Sequence, residues 1–336
     1  MDVLQSQAAG PRDAQVSQPK QVVTQPAVEI EHLRKTYGSL VAVDDVSFSV
    51  AEGEIFGILG PNGAGKTTTA ECAVGLRTPD AGRIRLMGLD PRADAAKVHE
   101  IVGVQLQASA LPPKLRVGEI LDMYRSFYRQ PAEVGELIEV LGLAGKRKDY
   151  YRSLSGGQRQ RLSVALALIG QPKIAVLDEM TTGLDPQARR DAWALIAGIR
   201  DRGATIILVT HFMEEAERLC DRVALIDRGR VAALDTPVGL AARAQGGKSV
   251  QFTPSAPFDD GLLTALPEVT QVEHEGQHVV VTGTGELVNA VILALPAAGV
   301  TARDVQLDSS NLEDAFVKLT GRQHDQEQDK EEGPTS

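Results

Sequence analysis

Gly60-Pro61-Asn62-Gly63-Ala64-Gly65-Lys66-Thr67, with Thr68 behind it, fits the pattern G-x-x-x-x-G-K-[ST]. The run Ile55-Phe56-Gly57-Ile58-Leu59 before it reads as a strand, and the residues from Thr68 onward can be helical. Glycines let successive backbone N–H groups curl around an anion, and the start of a following helix adds a favourable dipole. Lys66 supplies a point charge for the β- and γ-phosphates, and the Thr67 hydroxyl can ligate Mg²⁺. A glycine-rich turn with a chance lysine is the bland alternative, and the flanking strand and helix argue against it. The motif implies binding of a nucleoside triphosphate in an α/β fold.

Two further stretches narrow the class. Leu154-Ser155-Gly156-Gly157-Gln158 precedes a segment of helical character, and Ile174-Ala175-Val176-Leu177-Asp178-Glu179 is an apolar strand ending in two carboxylates. Ser155 beside two glycines is also a good helix N-cap, and an anion site at a helix start uses the same free N–H groups. Taken with the phosphate loop, these residues resemble the nucleotide-binding domain of ATP-binding cassette (ABC) proteins. In that family L-S-G-G-Q is the signature motif and the apolar run with its two acids is the Walker B strand.

The resemblance implies roles position by position. Asp178 would hold Mg²⁺, and Glu179 would polarise the attacking water as general base. His211, after the strand Ile206 to Thr210, matches the switch histidine, and Gln107 matches the glutamine that touches Mg²⁺ or the lytic water. Gln105 competes for that last role, with strand alternation favouring Gln107. Tyr37 matches the aromatic that stacks on adenine, and Asp185 in Gly183-Leu184-Asp185 matches an aspartate that reaches across a dimer. Ser155 and Gly157 would contact the γ-phosphate held by the opposite subunit, so two cassettes close head to tail around ATP. Met180 stands where the family commonly has proline, which leaves every reacting group in place.

At 336 residues the chain has room for two domains, since single cores rarely exceed roughly 250–300 residues. The net charge of −10 argues against a general nucleic-acid binder. Cys72 and Cys220 are too few and too isolated for a disulfide framework, and read as reduced buried thiols. The sequence contains no apolar run long enough to span a bilayer and no signal pattern at its start, which implies a cytoplasmic protein. The five histidines other than His211 match no motif; His274 and His278 straddle a turn at Gly276, which disfavours a metal site.

Residues 1–26, rich in Gln, Pro, Ala and Ser, read as a disordered arm. Strands alternating with helical segments over residues 27–243 imply a mostly parallel core sheet, with an antiparallel β subdomain and a helical subdomain near residues 114–170. Expected strands include Val28 to Ile30, Leu40 to Val50 and Ile101 to Leu106. A break at Gln245-Gly246-Gly247 separates a βαββαβ, ferredoxin-like unit with a closing helix, residues 248–321, expected to fold on its own core. Residues 322–336 read as a disordered acidic tail.

The resemblance is closest to the drug- and antibiotic-exporter ATPases of the daunorubicin-resistance type. It implies an ATP- and Mg²⁺-dependent ATPase on the inner face of the membrane, powering a separate membrane-spanning permease that carries a drug-like or hydrophobic small molecule. Its second partner would be another copy of itself or a related ATPase subunit. Rival readings are an importer ATPase, or a soluble ABC ATPase acting on nucleic acid or the ribosome; the chain shows neither the long insertion of the DNA-acting members nor the second cassette of the ribosome-acting ones.

Overall fold

The computed structural model describes residues 25–106, 111–243, 248–308 and 311–321. The expected arm up to residue 24, the acidic tail, the break at Gln245-Gly246-Gly247 and Gln107 lie outside the described residues.

The chain opens with a hairpin, β1 (Val28–Tyr37) and β2 (Leu40–Val50), followed by β3 (Ile55–Leu59) and α1 (Lys66–Ala73). β4 (Ala81–Leu86) returns to pair with β1, giving an antiparallel sheet in the order β2-β1-β4. Next come α2 (Ala95–Ile101), β5 (Val102–Gln105) and the helices α3 (Val117–Arg125), α4 (Val134–Val140) and α5 (Gly156–Leu168). The remainder of the cassette alternates: β6 (Ile174–Asp178), α6 (Pro186–Asp201), β7 (Thr205–Thr210), α7 (Met213–Leu219), β8 (Arg222–Asp227), β9 (Arg230–Asp235) and α8 (Pro237–Arg243). The core sheet runs β5-β6-β7-β3-β8-β9, parallel except for β9. Every residue of β3, β6 and β7 is buried, as parallel strands covered on both faces must be.

Two boundaries and one whole strand of the cassette sheets differ from the sequence expectation. β1 continues to Tyr37 because β2 and β4 pair with it on both sides, and irregular register around His32, at φ 52°, hides its alternation. Ile101 ends α2 instead of opening the next strand. β9 was not anticipated: it returns from β8 through Arg228-Gly229, whose φ values of 49° and 75° make a tight two-residue turn between the paired Asp227 and Arg230.

Beyond the cassette lie β10 (Lys248–Pro254), α9 (Gly261–Thr264), β11 (Val269–Glu275), β12 (His278–Gly283), α10 (Leu287–Ala294) and β13 (Ala302–Asp308). These strands form an antiparallel sheet in the order β11-β12-β10-β13, with a small core around Val250, Phe252, Leu263, Val281, Leu287 and Val291.

The last helix among the described residues, α11 (Leu312–Thr320), does not close that small core. Asn311 caps it, accepting from the Asp314 N–H at 2.9 Å, while the Asp314 carboxylate accepts from the Asn311 N–H at 3.0 Å. Its buried face, Leu312, Ala315 and Phe316, belongs instead to the main cassette core together with Met213, Ala216, Leu219 and Leu240. The Leu312 N–H donates to Glu217 Oε1 at 2.5 Å, tying the helix to α7. The apolar stripe at three- and four-residue spacing fits either core, and tertiary packing chooses the cassette. Phe316→Ala is therefore expected to destabilise the cassette itself by about 3–5 kcal/mol. Denaturant unfolding followed through Trp193 checks this, and a loss under about 1 kcal/mol would make the contact superficial.

Candidate active site

Parallel pairing explains where the chemistry collects. β6, β7 and β3 are neighbours pointing the same way, so their C-terminal ends share one rim. Leu59 pairs with Thr210 and Asp178 with Val209, which brings the phosphate loop, Asp178-Glu179 and His211 together. The loop needs its glycines: Gly60 and Gly65 lie at φ 150° and 102°, and a Cβ there would come within 2.1 Å of the Ile226 carbonyl oxygen and 2.2 Å of the Ala42 carbonyl oxygen. Gly65 precedes α1, so the first turn offers its free N–H groups to the loop.

Lys66 is buried and its Nζ donates to the Pro61 carbonyl at 3.1 Å, 4.0 Å from Glu179 Oε1. Burial pushes its ammonium below the usual range, and Glu179 and then Asp178 oppose that. Asp178 is 1% exposed, and burial raises its carboxyl to about 6 against a hydrogen bond from Thr67. The Thr67 hydroxyl donates to Asp178 Oδ1 at 3.5 Å, while Oδ2 is buried without a hydrogen-bond partner. A buried carboxylate oxygen lacking a donor beside a threonine hydroxyl is a donor set that suits a hard divalent cation. Glu179 Oε1 lies 3.3 Å from His211 Nδ1. That hydrogen bond, more than burial opposes it, holds the Glu179 carboxyl below its ordinary range, so it is ionised at neutral pH. Glu179 sits at φ 47°, an uncommon backbone state for a non-glycine residue.

The raised Asp178 carboxyl has a testable sign. A folded-state value above that of the unfolded chain stabilises fully below pH 4, and the contribution is lost as pH climbs through about 6. In metal- and nucleotide-free protein, Asp178→Asn should therefore be more stable than the parent at pH 8, by up to roughly 3 kcal/mol, with the gap about halved at pH 5 and closed below pH 4. Thermal unfolding across that range decides it; a gap independent of pH would show that the carboxyl titrates normally.

Ser155 caps α5 as the sequence allows: its Oγ accepts from the Gln158 N–H at 3.3 Å, and Gln158 Oε1 accepts from the Ser155 N–H at 3.1 Å. The hydroxyl is exposed and keeps its own proton to donate outward. Gly156 and Gly157 open the helix beside it, and a Cβ at Gly157 would meet only Leu184 Cδ2, at 3.9 Å. Asp185 is the exposed N-cap of α6, its Oδ1 accepting from the Gln187 and Ala188 N–H groups at 3.0 and 2.9 Å. Tyr37 ends β1, 39% exposed, with Lys35 Nζ and the Arg77 guanidinium each 5.5 Å from its ring. Gln107 is outside the described residues; Gln105 is buried, and its amide donates to the Leu106 carbonyl at 2.8 Å.

One part of the site escapes sequence reading. Behind His211, Glu215 on α7 is buried against Trp193 of α6, and Arg189 lies 4.6 Å over the Phe212 ring. The only trace in the sequence is an acidic residue on a helix whose Met213, Ala216 and Leu219 face inward. Elsewhere, Cys72 and Cys220 are free and buried, with burial raising the Cys72 thiol to about 11. His274 contacts Asp260 across 2.9 Å, and among the described residues no cluster of potential metal ligands forms.

A parallel sheet, a phosphate loop and a carboxylate–imidazole pair at one rim are the parts of a nucleoside triphosphatase. The family model described as ABC transporter matches residues 43–182. The chain is 39% identical over 304 residues to the Nod factor export ATP-binding protein I of Ralstonia nicotianae, covering 89% of this chain and 95% of that protein. It is 32% identical over 307 residues to the linearmycin resistance ATP-binding protein LnrL of Bacillus subtilis, covering 88% and 98%. Among solved structures, cbiO1 from Clostridium perfringens, part of an ABC transporter complex, matches with a TM-score of 0.58 at 27% identity, over 65% of this chain and 92% of that one. A dimeric bacterial ABC transporter cassette matches with a TM-score of 0.56 at 26% identity, over 62% and 98%. The chain belongs to the ATP-binding proteins of ABC transporters. It binds and hydrolyses ATP to drive transport, and no helix among its described residues is long and apolar enough to cross a membrane.

Proposed function

We propose that this ATPase powers export of a hydrophobic or drug-like compound through a separate membrane-spanning permease, working as a dimer of cassettes on the inner face of the membrane. The observation that carries the export reading is likeness over nearly the whole chain, accessory unit included, to proteins named for Nod factor export and linearmycin resistance.

Within the dimer, the loop from Gly60 to Thr68 cradles the phosphates, Lys66 countering their charge, and the Tyr37 ring stacks on adenine. Thr67 and Asp178, with Gln107, would hold Mg²⁺, whose charge supports the β- and γ-phosphates. Glu179 takes the proton of the attacking water, and the His211 contact keeps the carboxylate aimed. The His211 hydrogen bond chiefly keeps that carboxylate ionised, and Lys66, 4.0 Å from Glu179, adds a smaller favourable charge until a phosphate arrives to share the cation. Ser155, Gly156, Gly157 and Gln158 face the γ-phosphate of the opposite subunit, and Asp185 faces the opposite cassette. ATP closes the two cassettes; hydrolysis and product release open them.

Co-expression with the membrane-spanning protein that copurifies with this chain provides the test. In inside-out vesicles carrying both, ATP should drive accumulation of a lipophilic dye, and Lys66→Ala should abolish it. ATP-driven efflux from those vesicles would mean import and would overturn the direction.

A further inference from the structure

Glu215 lies on α7, four residues beyond His211, with a fully buried side chain. Burying a carboxyl is costly unless polar groups surround it. Trp193 Nε1, from α6, donates to Glu215 Oε1 at 3.1 Å. The hydroxyls of Thr210 and Thr181 lie beside the carboxyl and favour its charged form, with Arg189 adding a positive field; burial outweighs them. Oε2 and the Thr181 hydroxyl nonetheless have no hydrogen-bond partner.

The neighbours matter for where they sit. Thr210 immediately precedes His211, and its Oγ1 accepts from the Phe212 N–H at 3.0 Å, shaping the turn that carries the imidazole. Thr181 follows Glu179 by two positions and is itself fully buried. The Phe212 ring, under the Arg189 guanidinium, lies 4.0 Å from the His211 ring between centroids. A residue needed only to pack α7 against α6 would be served by leucine or methionine. Here polar side chains from α6, from the segment after β6 and from the end of β7 converge on one carboxyl.

We propose that Glu215 is a positioning residue for ATP hydrolysis: its buried carboxyl joins the segment bearing Glu179 to the segment bearing His211 and so sets the contact between them. It touches neither nucleotide nor water. The proposal rests on Glu179 and His211 acting as base and partner.

Glu215→Gln keeps size and one acceptor while changing how the three donors can be met. Expected is a fall in kcat of roughly tenfold or more, because small misplacements of reacting groups are costly, with ATP affinity unchanged within about twofold. In a His211→Ala background the same substitution should lower the residual rate no further, since the contact it sets is already gone. Thr181→Val should act in the same direction and carries the test if Glu215→Gln does not fold. Unchanged kcat in a folded variant, an equal fold-loss in both backgrounds, or loss of ATP affinity in step with kcat would each overturn the proposal. Glu179→Gln in the same assay separates the two ideas. Normal turnover there sinks the base assignment, whereas an inactive Glu179→Gln beside a fully active Glu215→Gln sinks only the positioning role.

Discussion

Glu179→Gln is expected to slow ATP hydrolysis by roughly 10²- to 10⁴-fold, the usual worth of a general base, while nucleotide affinity is kept. The amide has the size of the carboxylate but cannot take a proton from water. One charge near the γ-phosphate position disappears, the carboxylate, and Lys66, 4.0 Å away, is freed of a partner that competes with the phosphate for it. Affinity should thus hold or rise, and closure without hydrolysis should leave an ATP-bound dimer that elutes as such in size exclusion. Single-turnover phosphate release gives the rate. Near-normal turnover would remove Glu179 from the mechanism and leave its φ of 47° without a catalytic reason.

Gly157→Asp is expected to leave the monomer folded and able to bind ATP, yet to block closure of the dimer. Within this chain a Cβ at 157 meets nothing nearer than 3.9 Å, and an acidic residue in the first turn of α5 suits the helix dipole. The penalty arises across the interface, where a carboxylate would face the partner's γ-phosphate. Two unit charges about 4 Å apart at an effective dielectric of about 20 repel by about 4 kcal/mol, which is roughly 10³-fold in closure. Mixing provides the decisive arm. A dimer of one Gly157→Asp chain and one Lys66→Ala chain contains one site with an intact loop and an intact signature, and one site damaged twice. Recovery of ATPase activity on mixing two inactive proteins follows only if each site draws on both chains; no recovery would refute the head-to-tail arrangement.

Much of this was legible before any coordinates, for reasons that vary by residue. The phosphate loop, the acids at 178 and 179 and the histidine at 211 announce themselves because each sits where an apolar strand ends, and parallel pairing then dictates that they meet. Ser155 read correctly as a cap because capping is a local matter of one side chain and the next turn. What stayed hidden depends on partners distant in sequence. Nothing local distinguishes Glu215 from a solvated helix acid, since the groups that enclose it include Trp193, twenty-two residues away. The fate of α11 was likewise invisible: its stripe declares that it must bury something, not which core receives it.

The docking of α11 also sets an order of events during synthesis. The pocket formed by Met213, Ala216, Leu219 and Leu240 is made long before Leu312 and Phe316 emerge from the ribosome. Until then the nascent cassette presents an apolar face of the kind that chaperones hold and proteases find. A chain that stops short of residue 312 never covers that face, however complete its catalytic residues. Docking of α11 thus reports that synthesis has passed residue 320.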